Sequence, residues 1–410
     1  MNIEPPKHNS SSINVLAITW IPPTSSGEGY GGFTRFLRIL RTCKKLNVKF
    51  YILSYGSKAE AHDNRNYWIS TWHLPNFLSS SYIARTFFSI FFFFTIIIKG
   101  LQLRHIVNCV YTPNAEISSA CLAAYILSII IKKPLILSFQ LPPGGAFGLC
   151  GETYKLYRSQ GLGILSSIFM ELYALASRCL ALHAAKHARV IIVPSKTLAK
   201  QLLILGMRGC LLKIIPNPVF SYHPEGIKPF YMRPPLAVFI GRQVPQKGVL
   251  DLIKAWKLVI KHLPSAKLII VGYCTREMEK LLLKEMKRAG IEDSVIKVGL
   301  ISRPLLERIL RLSKVMVLPS RLESQCLTIN EALSYGCYVV CYDIPAIEEF
   351  YNTEYVKRVL VGDIVSLAEE IIHLLKNTQR RKFLIPHSGV LSSWNKTAFE
   401  EIRLIVKFSG

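Results

Sequence analysis

The sequence predicts an α/β protein made of two doubly wound, Rossmann-like domains that face each other across a cleft. Three observations lead to this prediction. Short β-branched runs alternate with longer helical stretches, which favours parallel βα units. The length of 410 residues is too great for one ordinary core and suits two. An irregular stretch with four prolines, at 221–235, separates the two sets of elements and is typical of an interdomain linker.

The first half contains five predicted strands and the helices between them. A loop rich in Pro and Gly follows the first strand, and the helix after it has Phe33, Phe36 and Leu40 at helical spacing. Ser195 is expected to cap the helix that follows the fifth strand. The strands are predicted at 13–19, 48–53, 106–111, 134–139 and 190–193, and the main helices at 33–45, 116–131 and 162–187.

The run TFFSIFFFFTIII at 86–98 is intensely apolar and is bounded by Arg85 and Lys99. It is shorter than the roughly 20 residues that a membrane-spanning helix needs. We therefore predict a buried helix here, with a membrane-touching helix as the alternative.

The second half repeats the alternation of strand and helix. Its strands are predicted near 237–241, 268–272, 295–299, 315–318 and 338–341, each followed by a helix or loop. The tail at 388–410 holds Trp394 and an amphipathic helical pattern. The predicted domains are therefore 1–222 and 223–387, with the tail as a separate element.

Charge and cysteine usage bound the partners and the compartment. The formal net charge is +25, and residues 1–222 hold 23 Lys and Arg against 7 Asp and Glu. Such a field favours anionic partners, namely phosphorylated ligands or an acidic membrane surface. No nucleic-acid reader motif is present, so nucleic acid is not expected as a partner. The ten cysteines form no CxxC pair, and no apolar signal segment is seen at the N-terminus, which indicates a reducing, cytoplasmic setting.

The first chemical motif is Gly241-Arg242-x4-Lys247-Gly248, which joins a strand to a helix. Gly241 lets the backbone turn close to a ligand, and Arg242 presents a fork of donors that suits phosphate oxygens. Lys247 adds a point charge, and the N-terminus of the following helix adds free N–H groups. The motif favours a diphosphate site. An ordinary basic surface loop is the alternative that the motif alone leaves open.

The second motif is a pair of carboxylates, Glu323 and Glu331. On one continuous helix they would point about 80° apart, so we expect Glu323 on the loop after a strand and Glu331 inside the helix. Glu331 could then accept hydrogen bonds from both hydroxyls of a ribose, and Glu323 could accept one from a sugar hydroxyl. A solvated helix residue is the alternative for Glu331. Together, the two motifs suit a nucleotide-sugar.

These segments resemble the retaining GT-B glycosyltransferases of family 4, also called the glycosyl transferases group 1 family. The resemblance covers nearly the whole chain and extends to Pro194-Ser195, to Gly31-Gly32 and to Trp394. It is most specific in the segments GRxxxxKG (241–248), IIVGY (269–273), IKVGL (296–300), VLPSRLES (317–324) and NEALSYGCYVV (330–340).

The resemblance implies a retaining, metal-independent hexosyltransferase with no cofactor, in which the nucleotide-sugar is a co-substrate. The first domain would take the acceptor, the second would bind the donor, and the tail helix would cross back onto the first domain. Three residues are implied in catalysis: Glu323, Arg242 and Lys247. The implied donor site consists of Gly241, Arg242, Lys247, Gly299, Leu300, Glu323, Ser324, Gln325, Cys326, Leu327 and Glu331, with the loops at Gly31, Gly32 and Gln140 contributed by the first domain.

The chain departs from the family pattern at two places that bear on the site. The family often has Gly-Phe-Gly after the first glutamate, and this chain has Ser324-Gln325-Cys326, which affects the identity of the donor sugar. Many members carry a histidine after the strand at 134–139, and this chain has Gln140.

The expected function is the transfer of a sugar from a nucleotide-sugar to a sugar, lipid-linked, phosphorylated or other acceptor. The basic, apolar first domain favours a peripheral location at the cytosolic face of a membrane. Two alternatives remain open from sequence: a non-catalytic nucleotide-sugar-binding protein, and an epimerase or phosphorylase of the same fold.

Overall fold

The computed structural model describes residues 12–21, 31–43, 46–56, 67–72, 93–143, 151–159, 163–207, 209–218, 228–377 and 393–410. Within these residues the chain forms two separate β-sheets, and every pair of neighbouring strands is parallel. Each sheet carries helices on both faces, so the prediction of two Rossmann-like halves is confirmed. The predicted boundary at 222/223 lies outside the described residues.

The first sheet has seven strands in the order β3-β2-β1-β4-β5-β6-β7. Strands β4 and β5 are buried along their whole length, as expected where helices cover both faces of a parallel sheet. The strands are β1 (Ile13–Ile21), β2 (Val48–Gly56), β3 (Tyr67–Trp72), β4 (Cys109–Thr112), β5 (Leu135–Ser138), β6 (Ala188–Val193) and β7 (Leu212–Ile214).

Six helices are described in this half of the chain. One face of the sheet packs against α1, and the other packs against the helices that precede or follow β4, β5 and β6. The Ser195 hydroxyl accepts a hydrogen bond from the Leu198 N–H at the start of α6, which confirms the predicted cap. The helices are α1 (Gly31–Cys43), α2 (Phe93–Gln102), α3 (Ser118–Ile130), α4 (Glu152–Ser159), α5 (Ile164–Lys186) and α6 (Lys196–Ile204).

The second sheet has six strands in the order β10-β9-β8-β11-β12-β13. Its core is continuous across both faces and is centred on buried aliphatic strands and on Trp256, whose indole N–H donates to the Ser294 hydroxyl at 3.1 Å. The strands are β8 (Leu236–Ile240), β9 (Lys267–Val271), β10 (Val295–Gly299), β11 (Val315–Leu318), β12 (Tyr338–Tyr342) and β13 (Val356–Val359).

The helices of the second half begin and end at residues that suit their termini. Thr275 caps α8 at its N-terminus, and Asp363 caps α12 in the same way. Gly290 ends α8 in the left-handed conformation. The helices are α7 (Val249–His262), α8 (Arg276–Ala289), α9 (Arg303–Leu312), α10 (Leu327–Ser334), α11 (Pro345–Phe350) and α12 (Ile364–Lys376).

The final helix, α13 (Trp394–Lys407), packs against α1 of the first half. Its buried Ala398, Ile402 and Ile405 join the same core as Phe36 of α1. The chain therefore ends on the domain in which it began, after completing the second domain.

Both sheets place a topological switch point at the centre of their carboxyl edge. In the first sheet, β1 and β4 are neighbours whose connections leave in opposite directions, and β8 and β11 have the same relation in the second. Ligands of open α/β sheets bind outside the carboxyl ends of the strands at such points. A ligand-binding site is therefore expected at the loops that follow these four strands.

Sequence reasoning missed three strands, β3, β7 and β13, and all three are at or near an edge of a sheet. The β13 segment reads VKRV, and its two charged residues hide the strand pattern. The predicted buried helix at 86–98 is described only from Phe93 onward. There Ile96 is fully buried, whereas Phe94 and Ile98 are each 60% exposed, so the prediction holds for one side of α2 only.

Candidate active site

A cavity of about 470 Å³ lies between the two domains and opens at the carboxyl edge of the second sheet. The first domain contributes Thr34 and Arg38 of α1, and α13 contributes Trp394. The second domain contributes the residues predicted for a donor site at Gly241, Arg242, Leu300, Leu327 and Glu331. The structure thus brings five predicted residues together around one space.

Two glycines shape the floor of this region because the backbone approaches them too closely for a side chain. At Gly272, which has φ +131°, an added Cβ would lie 2.1 Å from the carbonyl oxygen of Gly241. At Gly248, which has φ +66°, it would lie 2.0 Å from the carbonyl oxygen of Pro319. The glycine after Lys247 therefore lets the loops after β8 and β11 touch, which explains its place in the motif.

The same two loops are joined by charged side chains. Lys247 Nζ lies 2.5 Å from Glu323 Oε1, and Arg321 Nη2 lies 2.6 Å from Asp251 Oδ2 on α7. The backbone N–H of Arg321 also donates to the carbonyl of Gln246 at 2.8 Å. Two of the predicted catalytic residues are thus paired with each other. Neither residue of this pair is part of the cavity lining, although each lies within a few positions of a lining residue in the chain.

Glu331 is paired with a cation that the sequence analysis did not single out. Arg303, the first residue of α9, approaches Glu331 Oε1 with Nη1 at 2.5 Å, and its Nε donates to Glu307 at 3.1 Å. All three side chains line the cavity. Glu331 is therefore not a merely solvated helix residue, because its carboxylate faces the space between the domains.

Ser324 and Gln325, two residues of the predicted donor site, form contacts between the domains. Both are buried, and both bond to the backbone of the first domain. The Ser324 hydroxyl donates to the carbonyl of Gln140. Gln325 accepts from the Asn217 N–H at 2.7 Å and donates to the Asn217 carbonyl at 2.8 Å. These side chains join the two domains at the place where the chain departs from the family pattern. Their predicted contact with the donor stays a prediction.

Cys326 is buried directly before α10 and faces the protein interior. Its Sγ lies 3.1 Å from the Thr328 hydroxyl, and its carbonyl accepts from the Tyr351 hydroxyl at 2.6 Å. Burial and the nearby Glu323 raise the pKa of the Cys326 thiol to about 12. The thiol is therefore neutral at ordinary pH and does not act as a nucleophile or a cation ligand.

The other predicted glycines of the site lie in the chain shortly before residues that line the cavity. Gly31 and Gly32 begin α1, the helix whose next turns reach the cavity through Thr34 and Arg38. Gly299 ends β10 directly before Leu300. Of the described residues, no group of three His, Cys, Asp or Glu side chains is placed to hold a metal ion.

Gln140 is held by a carboxylate that sequence reasoning missed, Glu116. The Gln140 N–H donates to Glu116 Oε2 at 3.0 Å, and the Gln140 amide donates to the Ser138 hydroxyl at 3.1 Å. Removal from water raises the pKa of Glu116 from 4.5 to about 7, although the Gln140 N–H, the Asn114 amide and the charge of Arg242 act to lower it. Glu116 therefore changes its charge near neutral pH, in the segment between β4 and α3 and within the field of Arg242.

One signal in the sequence could have found Glu116, and none could have found Arg303. Glu116 is one of only seven acidic residues among the first 222, and it follows a strand that meets the cleft. Arg303 lies in a helix with several other basic residues, and only its distance to Glu331 distinguishes it.

Comparisons with known proteins agree with this geometry. Residues 225–387 match the family model described as glycosyl transferases group 1. Over 152 residues the chain is 32% identical to the poly(glycerol-phosphate) alpha-glucosyltransferase of Bacillus subtilis (strain 168). That match covers 34% of this chain and only 21% of the relative.

Two solved structures resemble the whole chain. HepE of Anabaena, in complex with UDP and glucose, has a TM-score of 0.64 at 18% identity, and the match covers 97% of this chain and 99% of that one. Sucrose-phosphate synthase of Thermosynechococcus elongatus has a TM-score of 0.63 at 13% identity, over 96% and 98% of the two chains. At these identities the likeness concerns the fold, which is GT-B.

Proposed function

Because residues 225–387 form a glycosyl transferases group 1 domain in a chain with the GT-B fold, we propose that this protein is a retaining glycosyltransferase. It moves a sugar from a nucleotide-sugar to an acceptor and uses neither a metal ion nor a cofactor. The observation that carries the proposal is the interdomain cavity, in which Arg242 and Glu331 line one space. A cation and a carboxylate that line the same cavity suit the diphosphate and the ribose of one donor.

The donor binds along the carboxyl edge of the second sheet. Its base lies near Leu300, its ribose hydroxyls bond to Glu331, and its diphosphate meets Arg242. No side chain caps the N-terminus of α10, so the first N–H groups of that helix are directed toward the same phosphates. Arg303 already bonds one oxygen of Glu331, and it stays as the support that fixes the carboxylate for the ribose.

The reaction breaks the bond between the anomeric carbon and the donor phosphate oxygen and forms a bond from the same face to the acceptor oxygen. The acceptor hydroxyl proton passes to the leaving diphosphate, so no protein nucleophile is required. Arg242 and Lys247 neutralise the charge that develops on the diphosphate, which lowers the barrier. The Lys247 side chain leaves Glu323 and contacts the phosphate. The Glu323 carboxylate then accepts a hydrogen bond from a hydroxyl of the transferred sugar.

The first donor to consider is UDP-glucose, and the acceptor is phosphorylated and attached to a lipid. HepE was solved with UDP and glucose, and the Bacillus relative is named for glucosyl transfer to poly(glycerol-phosphate). The strong positive charge of residues 1–222 complements an acceptor that carries phosphate. The protein acts at the cytosolic face of a membrane, with which it associates peripherally.

A thermal-shift panel of UDP, GDP, ADP and their glucose conjugates tests the donor site. A ligand that binds only the folded state raises the unfolding temperature by mass action. We expect one nucleoside diphosphate to stabilise the protein in the absence of divalent metal, and its sugar conjugate to be hydrolysed slowly. If no nucleoside diphosphate raised the unfolding temperature, the donor site would be refuted. Release of the sugar as an inverted product would contradict retention.

A further inference from the structure

Helix α5 has its polarity reversed relative to a soluble surface helix. Glu171 and Arg178 point inward and are each 8% exposed. The outward side carries no charged residue from 164 to 180. Its large apolar side chains are Ile164 (56% exposed), Leu165 (83%), Ile168 (43%), Phe169 (39%), Leu172 (60%), Tyr173 (40%) and Leu180 (37%).

The inward contacts fix the rotation of α5. The Glu171 carboxylate accepts from the N–H groups of Gly151 at 2.7 Å and of Tyr154 at 2.9 Å, and so holds the first turn of α4. Farther along, Ala181, Ala184 and Ala185 pack into the core of the first domain. The helix cannot turn its apolar side inward without breaking these contacts, so that side is built to face outward.

The two neighbouring helices extend this apolar surface. Helix α3 packs against α5, and Gly100 of α2 packs against Leu127 of α3. All three helices cover the same face of the first sheet, because their buried residues share one core. Exposed apolar residues on them are Phe94 and Ile98 of α2 and Ile129 and Ile130 of α3. Several exposed apolar side chains on helices that pack together favour an interaction site.

Basic residues border the surface at the ends of these helices. Between residues 93 and 218 the sequence has 13 Lys and Arg against three acids, namely Glu116, Glu152 and Glu171. Lys132 follows α3, Lys186 ends α5, and Arg189 lies at the start of β6 directly after it; all three are exposed. An apolar stripe with a basic border complements an acidic lipid surface, in which headgroups carry negative charge and acyl chains lie directly beneath.

We propose that the outward side of α5, extended by α2 and α3, is the surface by which this protein lies on an acidic membrane. The helix is long and apolar enough to cross a bilayer, but crossing would place Glu171, Arg178 and the sheet itself in hydrocarbon. A lipid surface buries only the outward side. A second copy of the chain fits less well, because two copies would bring their basic borders together.

The position of α5 connects this surface with the cleft. Helix α5 lies in the crossover from β5 to the parallel strand β6, so it runs against the strands and begins at their carboxyl edge. Helix α4 lies between β5 and α5 in the chain. Its Tyr157 hydroxyl accepts a hydrogen bond from the side chain of Gln246, in the second domain, at 3.0 Å. The most exposed residue, Leu165, is therefore at the cleft end of the helix. That this orientation delivers a lipid-linked acceptor rests on the proposed function, whereas membrane binding itself does not.

Vesicle flotation tests the surface on the full chain. The double variant Leu165→Glu with Leu172→Glu places two charges at exposed positions, where folding is not disturbed. The matched control, Leu360→Glu with Val365→Glu, changes two similarly exposed residues of the second domain (73% and 56%). We expect the wild type and the control to float with phosphatidylcholine–phosphatidylglycerol vesicles, and the α5 variant to remain unbound. Pure phosphatidylcholine and high salt should weaken flotation of the wild type.

A charge variant supplies an independent measurement. Lys186→Glu with Arg189→Glu removes two cations from the border, each worth roughly a fivefold change in affinity for an acidic surface. We expect its binding to fall more than about tenfold. Absence of wild-type flotation on acidic vesicles would overturn the proposal, as would equal flotation of the α5 variant. The surface would be assigned to a second copy instead if the wild type did not float and light scattering showed that it is a dimer whereas the α5 variant is a monomer.

The donor site is measured on the same samples without vesicles. Nucleoside diphosphate binding by thermal shift should be unchanged in all three variants, because none of the substituted residues lines the interdomain cavity. Flotation without nucleotide binding would refute the proposed function and leave the membrane surface standing. Nucleotide binding without flotation would leave the donor site standing and refute both the membrane surface and the peripheral location proposed above.

Discussion

Arg35 of α1 and Glu401 of α13 form a buried ion pair, with Nε and Oε2 2.7 Å apart, although the two residues are 366 positions apart in the chain. The Tyr111 hydroxyl donates to the other oxygen of Glu401, also at 2.7 Å. Arg35 further donates to the carbonyl of Ile215 at 2.8 Å and to the Asn217 side chain at 3.0 Å. One cation thus joins the beginning of the chain, its end and the segment that leaves the first domain.

Removal of Arg35 should therefore destabilise the fold strongly. Arg35→Met leaves the Glu401 carboxylate buried and without its cation, which costs about 3–5 kcal/mol in the free energy of unfolding. Urea denaturation measures this loss. The control is Arg288→Met, which breaks a pair on the exposed surface of α8 and should cost less than about 1 kcal/mol. Equal midpoints for the two variants would show that the buried pair is not a structural link.

Arg242 should dominate binding of the donor diphosphate. A hydrogen bond to a charged group contributes about 1.5–3 kcal/mol, so Arg242→Ala should weaken nucleoside diphosphate binding by roughly 10- to 100-fold. Titration calorimetry gives the affinity directly. Lys254→Ala, on the exposed side of α7, removes an equal charge from the same domain and should have little effect. Unchanged affinity in Arg242→Ala would exclude the phosphate assignment.

Glu331 should recognise the ribose hydroxyls. The wild type is expected to bind a ribonucleoside diphosphate more tightly than its 2′,3′-dideoxy analogue, and Glu331→Ala should lose that preference. The matched control is Glu307→Gln, which removes the other carboxylate bound to Arg303. This control should keep the preference, because Glu331 and Arg303 remain. A preference that survives in Glu331→Ala would assign the ribose to another residue.

Gln325 should stabilise the contact between domains without contributing to donor affinity. Gln325→Ala removes both hydrogen bonds to the Asn217 backbone and leaves buried groups without partners, at about 1–3 kcal/mol. Thermal unfolding and nucleotide calorimetry on the same variant separate the two effects. Ser324→Ala, which loses one bond to Gln140, should be the milder change. A drop in donor affinity at unchanged unfolding temperature would restore the donor-site role that the family resemblance implies.

The raised pKa of Glu116 should give the protein a measurable dependence on pH. The folded protein holds this proton up to about pH 7, whereas the unfolded chain releases it near 4.5. Between these values the folded state binds more protons, so the free energy of unfolding falls as pH rises, by about 3 kcal/mol. Urea denaturation at about pH 5 and about pH 8 should show this decline in wild type and its loss in Glu116→Gln. If the free energy of unfolding depended on pH in the same way in the wild type and in Glu116→Gln, the assignment to Glu116 would be wrong. The control is Glu292→Gln, which changes an exposed acid and should keep the decline of the wild type.

The sequence predicted the second domain more completely than the first. Five of its six strands are dense aliphatic runs, and each prediction lies within one or two residues of the observed strand. The sixth, β13, escaped because an edge strand covered on one side tolerates Lys357 and Arg358. In the first sheet, β3 and β7 escaped for a related reason, since the hydrophobic signal of a strand weakens where fewer neighbours bury it.

The candidate site divides in the same way. Gly241, Arg242 and Glu331 could be named in advance because Gly241 and Arg242 directly follow a strand and Glu331 lies in the helix between two strands, each in a recognisable motif. Glu116, Arg303 and the partners of Gln325 could not, because each depends on a residue far away in the chain. Gln325 and Asn217, for example, are 108 positions apart.

By itself, the sequence determined most of the order of strands and helices, the two-domain α/β class and the segments that carry Arg242 and Glu331. These follow from local patterns, since hydrophobic period, glycine and capping residues act within a few positions. Only the tertiary structure decided which side chains face the cavity, which join the domains and which side of α5 faces outward. Those outcomes are set by contacts between segments that are distant in the sequence, and the residues near each position do not indicate which distant residue it will contact.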